Sequence, residues 1–178
     1  LDCRRIREYG ERFFDKLEFI EYDQEDLAEI KQLYTLRYQL VKARKALLTS
    51  EKGRSHLPLQ NVSVHNHLQS VLSSLDKEIA ELDAEIEELI KSSEDLNENY
   101  ELINSITGIG AVIATDLLIK TGNFNHIDTA RKASSYAGVC PFPNASGKMV
   151  GRSKTSPFAD KKLKSLLYMG AKSAVKHN

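Results

Sequence analysis

The sequence predicts an all-α protein, built as a long antiparallel coiled-coil hairpin that leads into a compact helical domain. Three observations predict this fold class. Apolar residues recur at helical spacing over two long stretches, one stretch carries an unbroken four-three leucine pattern, and no segment shows the sustained alternation typical of strands. The 178 residues are enough for one or two small domains.

The first long helix is predicted from Asp23 to about Ser50. No Gly or Pro interrupts its apolar positions, which are Leu27, Ile30, Tyr34, Val41 and Leu48. Its polar face is basic, through Lys31, Arg37, Lys42, Arg44 and Lys45. Gly53 and Pro58 then predict a loop, because a helix does not continue through such residues.

The second helix, from about Val64 to Asn99, shows the clearest periodicity. Its d positions are Leu68, Leu75, Leu82, Leu89 and Leu96, and its a positions are Leu72, Ile79, Ile86 and Ser93. Acidic flanks would repel a second copy but attract the basic face of the first helix; they comprise Asp76, Glu78, Asp83 and Glu85. We therefore predict an antiparallel hairpin within one chain, with apolar surface left over for a homo-oligomer through the coiled coil.

The net charge of zero hides a division between two parts of the chain. Residues 1–104 hold 14 Lys and Arg against 22 Asp and Glu, a charge of −8, whereas residues 105–178 hold 11 against 3, a charge of +8. A basic segment of this kind suits contact with the phosphates of nucleic acid. The alternative is that the two parts neutralise each other within the fold, and charge alone leaves both open.

Composition places the protein in the cytoplasm. No apolar run is long enough to span a bilayer, so we expect a soluble protein with no membrane partner. Cys3 and Cys140 lie far apart, and no secretory leader precedes them, so we interpret both as reduced thiols.

The segment from Ile106 to Ala114 has the pattern of a helix-hairpin-helix, with the second helix running to about Lys120. Its central residues are Gly108, Ile109 and Gly110. Glycines allow the turn to approach a phosphate closely, and amides at the start of the next helix can donate hydrogen bonds to phosphate oxygens. The alternative is a tight turn between helices that binds no ligand.

Residues 138–154 show no sustained period, so we predict an exposed loop without regular structure. Ser146 precedes a glycine there, and the cations Lys148, Arg152 and Lys154 follow. A hydroxyl and nearby cations are the groups that phosphoryl chemistry needs, although spacing alone makes Ser146 a turn serine.

A last helix is predicted from about Ala159 to Lys176. It would present its lysines to solvent or to nucleic acid, namely Lys161, Lys162 and Lys164. Tyr136 and Tyr168 occupy apolar helix positions and are predicted to lie in the core.

An ordered set of motifs resembles a known family. It comprises Ile106 to Gly110, Phe124, Ala130, Ser135 to Pro141, Ser146 to Lys148, Gly151-Arg152 and Lys162 to Tyr168, and it covers nearly all of residues 102–175. This set resembles the bacterial insertion-sequence transposases of the IS110 class, which are bridge-RNA-guided DNA recombinases. The resemblance implies that Ser146 is the nucleophile that joins DNA covalently, with Lys148 and Arg152 stabilising the phosphate. Many relatives have a lysine shortly before the last helix, where this sequence has Ser156-Pro157-Phe158, so Lys154 or Lys161 would replace that phosphate contact.

The first residues resemble the end of that family's RNase-H-like nuclease domain. On this resemblance Asp2 is the last carboxylate of a Mg²⁺ site whose other members are missing. We therefore interpret residues 1–22 as a remnant and linker, 23–101 as the coiled-coil hairpin and 102–178 as the transposase domain. Mg²⁺ is expected in the full-length protein and no cofactor in this fragment, which we expect to be inactive alone.

Two hypotheses about function follow. In the first, the chain is the C-terminal part of a DNA transposase or recombinase that binds DNA and a structured guide RNA and supplies Ser146 for strand cleavage and exchange. In the second, it is a non-catalytic helix-hairpin-helix scaffold that binds nucleic acid and assembles through its coiled coil.

Overall fold

The computed structural model describes residues 2–17, 25–54, 56, 61–146 and 149–177, and only the backbone of residues 145–146 and 149–150. Helices dominate this part of the chain, so the prediction of an all-α class is confirmed in the main. In chain order the elements are α1 (Asp2–Arg12), a 3-10 turn (Phe14–Lys16), α2 (Glu25–Arg54), α3 (Val62–Ser92), α4 (Glu94–Asn104), α5 (Ala111–Thr121), α6 (Ala130–Tyr136), β1 (Phe142–Ser146), β2 (Met149–Lys154) and α7 (Lys161–His177).

Helices α2 and α3 pack against each other in antiparallel directions. Arg37 forms an ion pair with Asp83, and seven residues further along α2 Arg44 pairs with Asp76, seven residues back along α3. The Nη2 atoms of these arginines lie 3.1 and 3.2 Å from the second carboxylate oxygen of the same partners. Each pair therefore has the two-pronged geometry that arginine and a carboxylate favour, and together they fix how the helices are aligned.

The leucine pattern identifies the face of α3 that turns inward. All nine predicted a and d positions, from Leu68 to Leu96, are buried or half-buried, and Ile90 beside them is fully buried. Side chains on the other faces of α3 are mostly polar or charged, and most are exposed. The hydrophobic effect on this one face holds α3 against the rest of the chain.

The predicted single helix over residues 64–99 is in fact two helices. Ser93 has an extended backbone (φ −106°, ψ 119°) and separates α3 from α4. Glu94 and Asp95 follow in the first turn of α4, where acidic side chains favour the positive end of the helix. A serine followed by two acids is a helix-start signal, and the periodicity of the leucines concealed it.

One apolar core joins the base of the hairpin to the helices that follow. Residues of α2, α3, α4 and α5 contribute to it, including Ile30, Ile90, Leu96, Tyr100 and Leu118. The predicted boundary at residues 101/102 falls within α4, which is part of this core. The hairpin base and the first helices after it therefore stabilise one another.

The prediction of an irregular loop over residues 138–154 is wrong, because β1 and β2 form an antiparallel hairpin. Ser146 pairs with Met149 and Asn144 with Gly151, and an extra residue in β2 then shifts the pairing to Phe142 with Lys154. Backbone hydrogen bonds stabilise such a ribbon even where the side chains show no alternation. Pro143, which has no amide hydrogen, lies at the bulge, where the ladder does not need one.

Two glycines bring α7 against the turn between α4 and α5. Gly108 has a φ of +89°, and a Cβ at this position would lie 2.3 Å from the carbonyl oxygen of Gly170 in α7. A Cβ on Gly170 would in turn lie 3.0 Å from the oxygen of Gly108. The absence of both side chains allows the two backbones to touch.

We predict that Gly108→Ala lowers the free energy of unfolding by about 2–4 kcal/mol, because alanine adds backbone strain and a clash with α7. Gly110→Ala is the matched control, since Gly110 has an ordinary φ of −113° and a Cβ there would meet no atom of the described residues beyond its chain neighbours within 4 Å. This control should change stability by less than about 1 kcal/mol. Urea titrations followed by circular dichroism measure both. Equal effects of the two substitutions would contradict this account.

Candidate nucleic-acid interface

The predicted site residues of the basic segment lie in one turn, two strands and one helix. Gly108, Ile109 and Gly110 form the turn between α4 and α5, Ser146 ends β1, Arg152 and Lys154 belong to β2, and Lys161 begins α7. Lys148 lies outside the described residues. Asp2, the predicted metal ligand, is the first residue of α1, at the other end of the chain.

The turn between α4 and α5 offers backbone rather than side chains. Gly110 precedes α5 and has open space around it, whereas Gly108 packs against α7. Ile109 is half-buried and packs against the apolar core. A phosphate would therefore meet the amides at the start of α5, and Gly110 is the glycine that leaves it room.

The bulge in the β-hairpin changes which cation shares a face with Ser146. Successive residues of a strand alternate between its two faces, so positions 142, 144 and 146 belong to one face of β1. Paired positions of an antiparallel ribbon share a face. Lys154 pairs with Phe142, so its register position is on the face of Ser146; without the extra residue it would be on the opposite face. Arg152 lies within the bulge, nearer to Met149, the partner of Ser146.

The acidic residues of the basic segment are all used internally. Asp116 pairs with Lys162 at 3.0 Å, Asp128 with Lys132 at 2.7 Å, and Asp160 with Lys120 at 2.7 Å. Among the described residues no ion pair joins a Lys or Arg of this segment to an acid of residues 1–104. The described Lys and Arg residues left without a carboxylate partner are Arg131, Arg152, Lys154, Lys161, Lys164, Lys172 and Lys176.

This pairing bears on the alternative that the two parts of the chain neutralise each other. If the two parts of the chain neutralised each other, ion pairs would connect them. The basic segment instead neutralises its own three acids and keeps an excess of exposed positive charge. Such an excess raises the local concentration of polyanions at the surface.

Lys162 lies in a polar cluster beneath the surface, so the expectation that it faces solvent or nucleic acid is wrong. Its ammonium is 3.0 Å from Asp116, whose side chain is about 1% exposed, and it lies 4.1 Å and 4.5 Å from the ring centroids of Tyr34 and Tyr38. Within the described part of the chain neither oxygen of Asp116 accepts a well-aligned hydrogen bond. Lys162 is therefore the charge that compensates this buried carboxylate, with support from two aromatic rings.

Tyr34 contributes a hydrogen bond to the same cluster. Its hydroxyl donates to the carbonyl oxygen of Val112 at 3.2 Å. Burial raises the pKa of Tyr34, and the nearby negative charge of Asp116 raises it further. The tyrosine therefore stays neutral and keeps its donor hydrogen.

Asp160 immediately precedes α7 and connects it to two other helices. Its Oδ1 accepts hydrogen bonds from the amides of Lys162 and Leu163 at 2.9 Å, and its own amide donates to the carbonyl oxygen of Tyr136 at the end of α6. Burial acts against ionisation of Asp160, but the bond from Lys120 and these amides outweigh it, so the pKa of Asp160 is lowered. The side chain remains a carboxylate and caps α7.

Sequence reasoning missed Asp116 and misplaced two tyrosines. Asp116 is an acid within an otherwise apolar helical run, and that contrast is the signal that could have identified it. Tyr136 and Tyr168, predicted to lie in the core, are 40% and 70% exposed. Both belong to helices of which only one face is covered, so an apolar position on such a helix is not always an inward one.

Asp2 does not belong to a metal site in the structure. It is exposed, and in the part of the chain that the structure describes no three His, Cys, Asp or Glu side chains come close enough to hold a metal ion. The described residues by themselves therefore do not complete a Mg²⁺ site. Of the described helices, none has both the length and the apolar character needed to cross a membrane.

Comparison with known proteins finds a family similar to the basic segment. Residues 100–178 match the model of the transposase IS116/IS110/IS902 family. This segment is therefore similar to the transposase domain of that family. It comprises the end of α4, the glycine turn, the β-hairpin and α7, and the family resemblance predicted from the sequence is thereby confirmed.

A curated relative matches the transposase domain. The "insertion element IS116 uncharacterized 44.8 kDa protein" of Streptomyces clavuligerus is 29% identical over 79 residues, which is 44% of this chain. The alignment spans 20% of that protein, so the chain matches about a fifth of the relative's length.

We predict that Lys162→Met lowers the free energy of unfolding by about 3 kcal/mol, because it leaves the carboxylate of Asp116 buried without a compensating charge. Adding Asp116→Asn should recover at least half of the loss, since the neutral amide needs no cation. Lys161→Met is the matched control and should be nearly neutral, because Lys161 is exposed. Denaturant titration measures all three, and equal losses for Lys161→Met and Lys162→Met would refute the assignment.

Proposed function

We propose that this chain is the C-terminal part of a DNA transposase, in which residues 102–178 bind DNA and supply the serine that cleaves and rejoins a strand. One observation carries the proposal: the segment that matches a transposase family also has an excess of exposed cations. Arg152 and Lys154 lie on the strand that pairs with the strand of Ser146. A DNA strand that crosses this ribbon would meet positive charge at successive phosphates.

The proposed reaction is a transesterification at Ser146. The serine oxygen loses its proton and forms a bond to phosphorus, while the bond from phosphorus to a sugar oxygen breaks and that oxygen takes up a proton. The phosphodiester is thereby conserved as a serine–DNA ester, which a second strand can attack. Arg152 and the neighbouring Lys148 would stabilise the negative charge that develops on the phosphate.

We also propose that the full-length protein binds Mg²⁺. Asp2 would be one of its carboxylates, and further carboxylates would come from a nuclease domain on the same or another protomer. A structured guide RNA is proposed as a second nucleic-acid partner of the same basic surface.

The first experiment measures binding of the whole 178-residue chain to duplex DNA and to a structured RNA at two salt concentrations. With three or four phosphate contacts, the affinity should fall by about 40- to 150-fold between 50 and 200 mM salt. Arg152→Gln should reduce the salt slope by about one, because it removes one phosphate contact.

Lys77→Gln is the matched control for that experiment. It removes the same charge from α3, where Lys77 pairs with Glu81, and should leave the slope unchanged. Binding that does not respond to salt, or an equal response to both substitutions, would contradict the proposed surface.

The second experiment tests the nucleophile in a full-length protein that contains this segment, with its RNA and Mg²⁺. A covalent protein–DNA adduct should form, and Ser146→Ala should abolish it while DNA binding is retained. Ser153→Ala, a neighbouring serine on β2, is the control and should still form the adduct. If the adduct survives in Ser146→Ala, the chain is the non-catalytic scaffold or uses another nucleophile, and peptide mapping of the adduct separates these outcomes.

Self-association through the hairpin is a further part of the proposal. Leu82 and Ile86 are already buried against α2, so a partner copy would have to use apolar side chains that remain exposed, such as Val71, which is 49% exposed. Val71→Asp should shift the sedimentation coefficient toward the monomer without unfolding the chain. A wild-type chain that remains monomeric at high concentration would rule this out.

A further inference from the structure

A groove of about 620 Å³ lies between α6, the start of β1 and the turn before α7. Its lining includes Arg131, Tyr136, Cys140, Phe142, Ser156 and Phe158. This volume is typical of sites that bind small organic rings. The groove begins on β1, the strand that ends at Ser146, the proposed site of strand cleavage.

Main-chain contacts fix the two sides of the groove. The amide of Asp160 donates to the carbonyl oxygen of Tyr136 at 2.9 Å, which joins the end of α6 to the turn before α7. A Cβ on Gly138 would lie 2.3 Å from the Cβ of Ala159, so the glycine permits close approach at the same place. Contacts within the chain therefore hold the two sides of the groove together.

Three aromatic rings of the groove are unusually exposed. Phe158 is 96% exposed, Phe142 46% and Tyr136 40%. The amide of Phe158 donates to Ser156 Oγ at 3.2 Å, in a turn that also contains Pro157, so a local structure presents this ring outward. Exposed apolar rings clustered around a groove mark a binding surface, because leaving them in water is unfavourable.

The charges around the groove indicate what binds there. Arg131 lines it and has no carboxylate partner among the residues described, whereas Lys132 beside it is held by Asp128. Aromatic faces with a free guanidinium are the features by which proteins bind the bases and phosphates of an unpaired strand. An apolar peptide would not use the positive charge.

We infer that this groove binds an unstacked base of the DNA strand that is cleaved at Ser146. The inference rests on the proposed function and specifies its substrate, a strand that is locally unpaired. Ser146 lies four positions after Phe142 in β1, a span of about 13 Å. A base in the groove would thus belong to a nucleotide near the reacting phosphate and would hold the strand in place along the ribbon.

The main test compares two ligands that have the same phosphates. The whole 178-residue chain is titrated with a single-stranded oligomer of twelve thymidines and with an abasic twelve-mer. The thymidine oligomer should bind about tenfold more tightly, because stacking of one base contributes that much. Phe158→Ala should reduce this ratio below about threefold and leave the affinity for the abasic oligomer unchanged.

Tyr168→Ala is the matched control. Tyr168 is an aromatic residue of the same segment, is 70% exposed and does not line the groove, so its removal should leave the ratio unchanged. An equal loss of affinity for both oligomers in Phe158→Ala would mean that the ring supports backbone contacts only, and would overturn the inference.

The two free cysteines provide a second readout in the same chain. Cys140 is half-buried in the groove, whereas Cys3 is exposed on α1. The thymidine oligomer should slow alkylation of Cys140 by N-ethylmaleimide and leave Cys3 unaffected. Equal protection of both thiols, or of neither, contradicts occupation of the groove.

The results distinguish a failure of DNA binding from a failure of base binding in the groove. If neither oligomer binds at low salt, the proposed DNA-binding function fails and the inference fails with it. If both bind equally well and Cys140 stays reactive, the function stands and the inference alone is wrong. If an oligomer of twelve uridines shows the larger dependence on Phe158, the occupant is RNA and the assignment to DNA is overturned.

Discussion

The arrangement of the C-terminal helices depends on one interaction, the pairing of the buried Asp116 with Lys162. A carboxylate that is fully removed from water requires a compensating charge, and the side chain that supplies it comes from α7. To reach Asp116 on α5, Lys162 passes beside two tyrosine rings of α2. The long hairpin, α5 and α7 therefore meet at one point, and none can move far without exposing or isolating that charge.

The position of α7 in turn determines the surface that we propose for DNA. Asp160, two residues before Lys162, caps α7 and donates its amide hydrogen to the carbonyl oxygen of Tyr136. This contact joins the two sides of the groove, and β1 runs from that groove to Ser146. The neighbouring lysines Lys161 and Lys162 consequently have different roles. Lys161 remains exposed, whereas Lys162 pairs with Asp116 and holds α7 against α5.

The sequence allowed prediction of whatever depends on local periodicity. The leucine pattern identified the inward positions of α3, because a helix that buries one face must repeat apolar residues at that spacing. The opposite charges of Arg37 and Asp83 predicted the antiparallel partner. The break at Ser93 was missed because the apolar repeat continues through it, although the backbone does not.

Features that depend on contacts distant in sequence could not be predicted in this way. The β1–β2 hairpin rests on backbone pairing and a bulge, neither of which leaves an alternating pattern of side chains. Asp116 and Lys162 are 46 positions apart, and in sequence the lysine is one of several in a basic run. Of the candidate site, the identities of the residues were predictable from the family motifs, whereas the direction each cation faces follows only from the fold.

The three acids of residues 105–178 each bind a lysine of the same segment. Every other described Lys and Arg there therefore remains available to a polyanion. The fold thereby concentrates positive charge around the β-hairpin and the exposed face of α7.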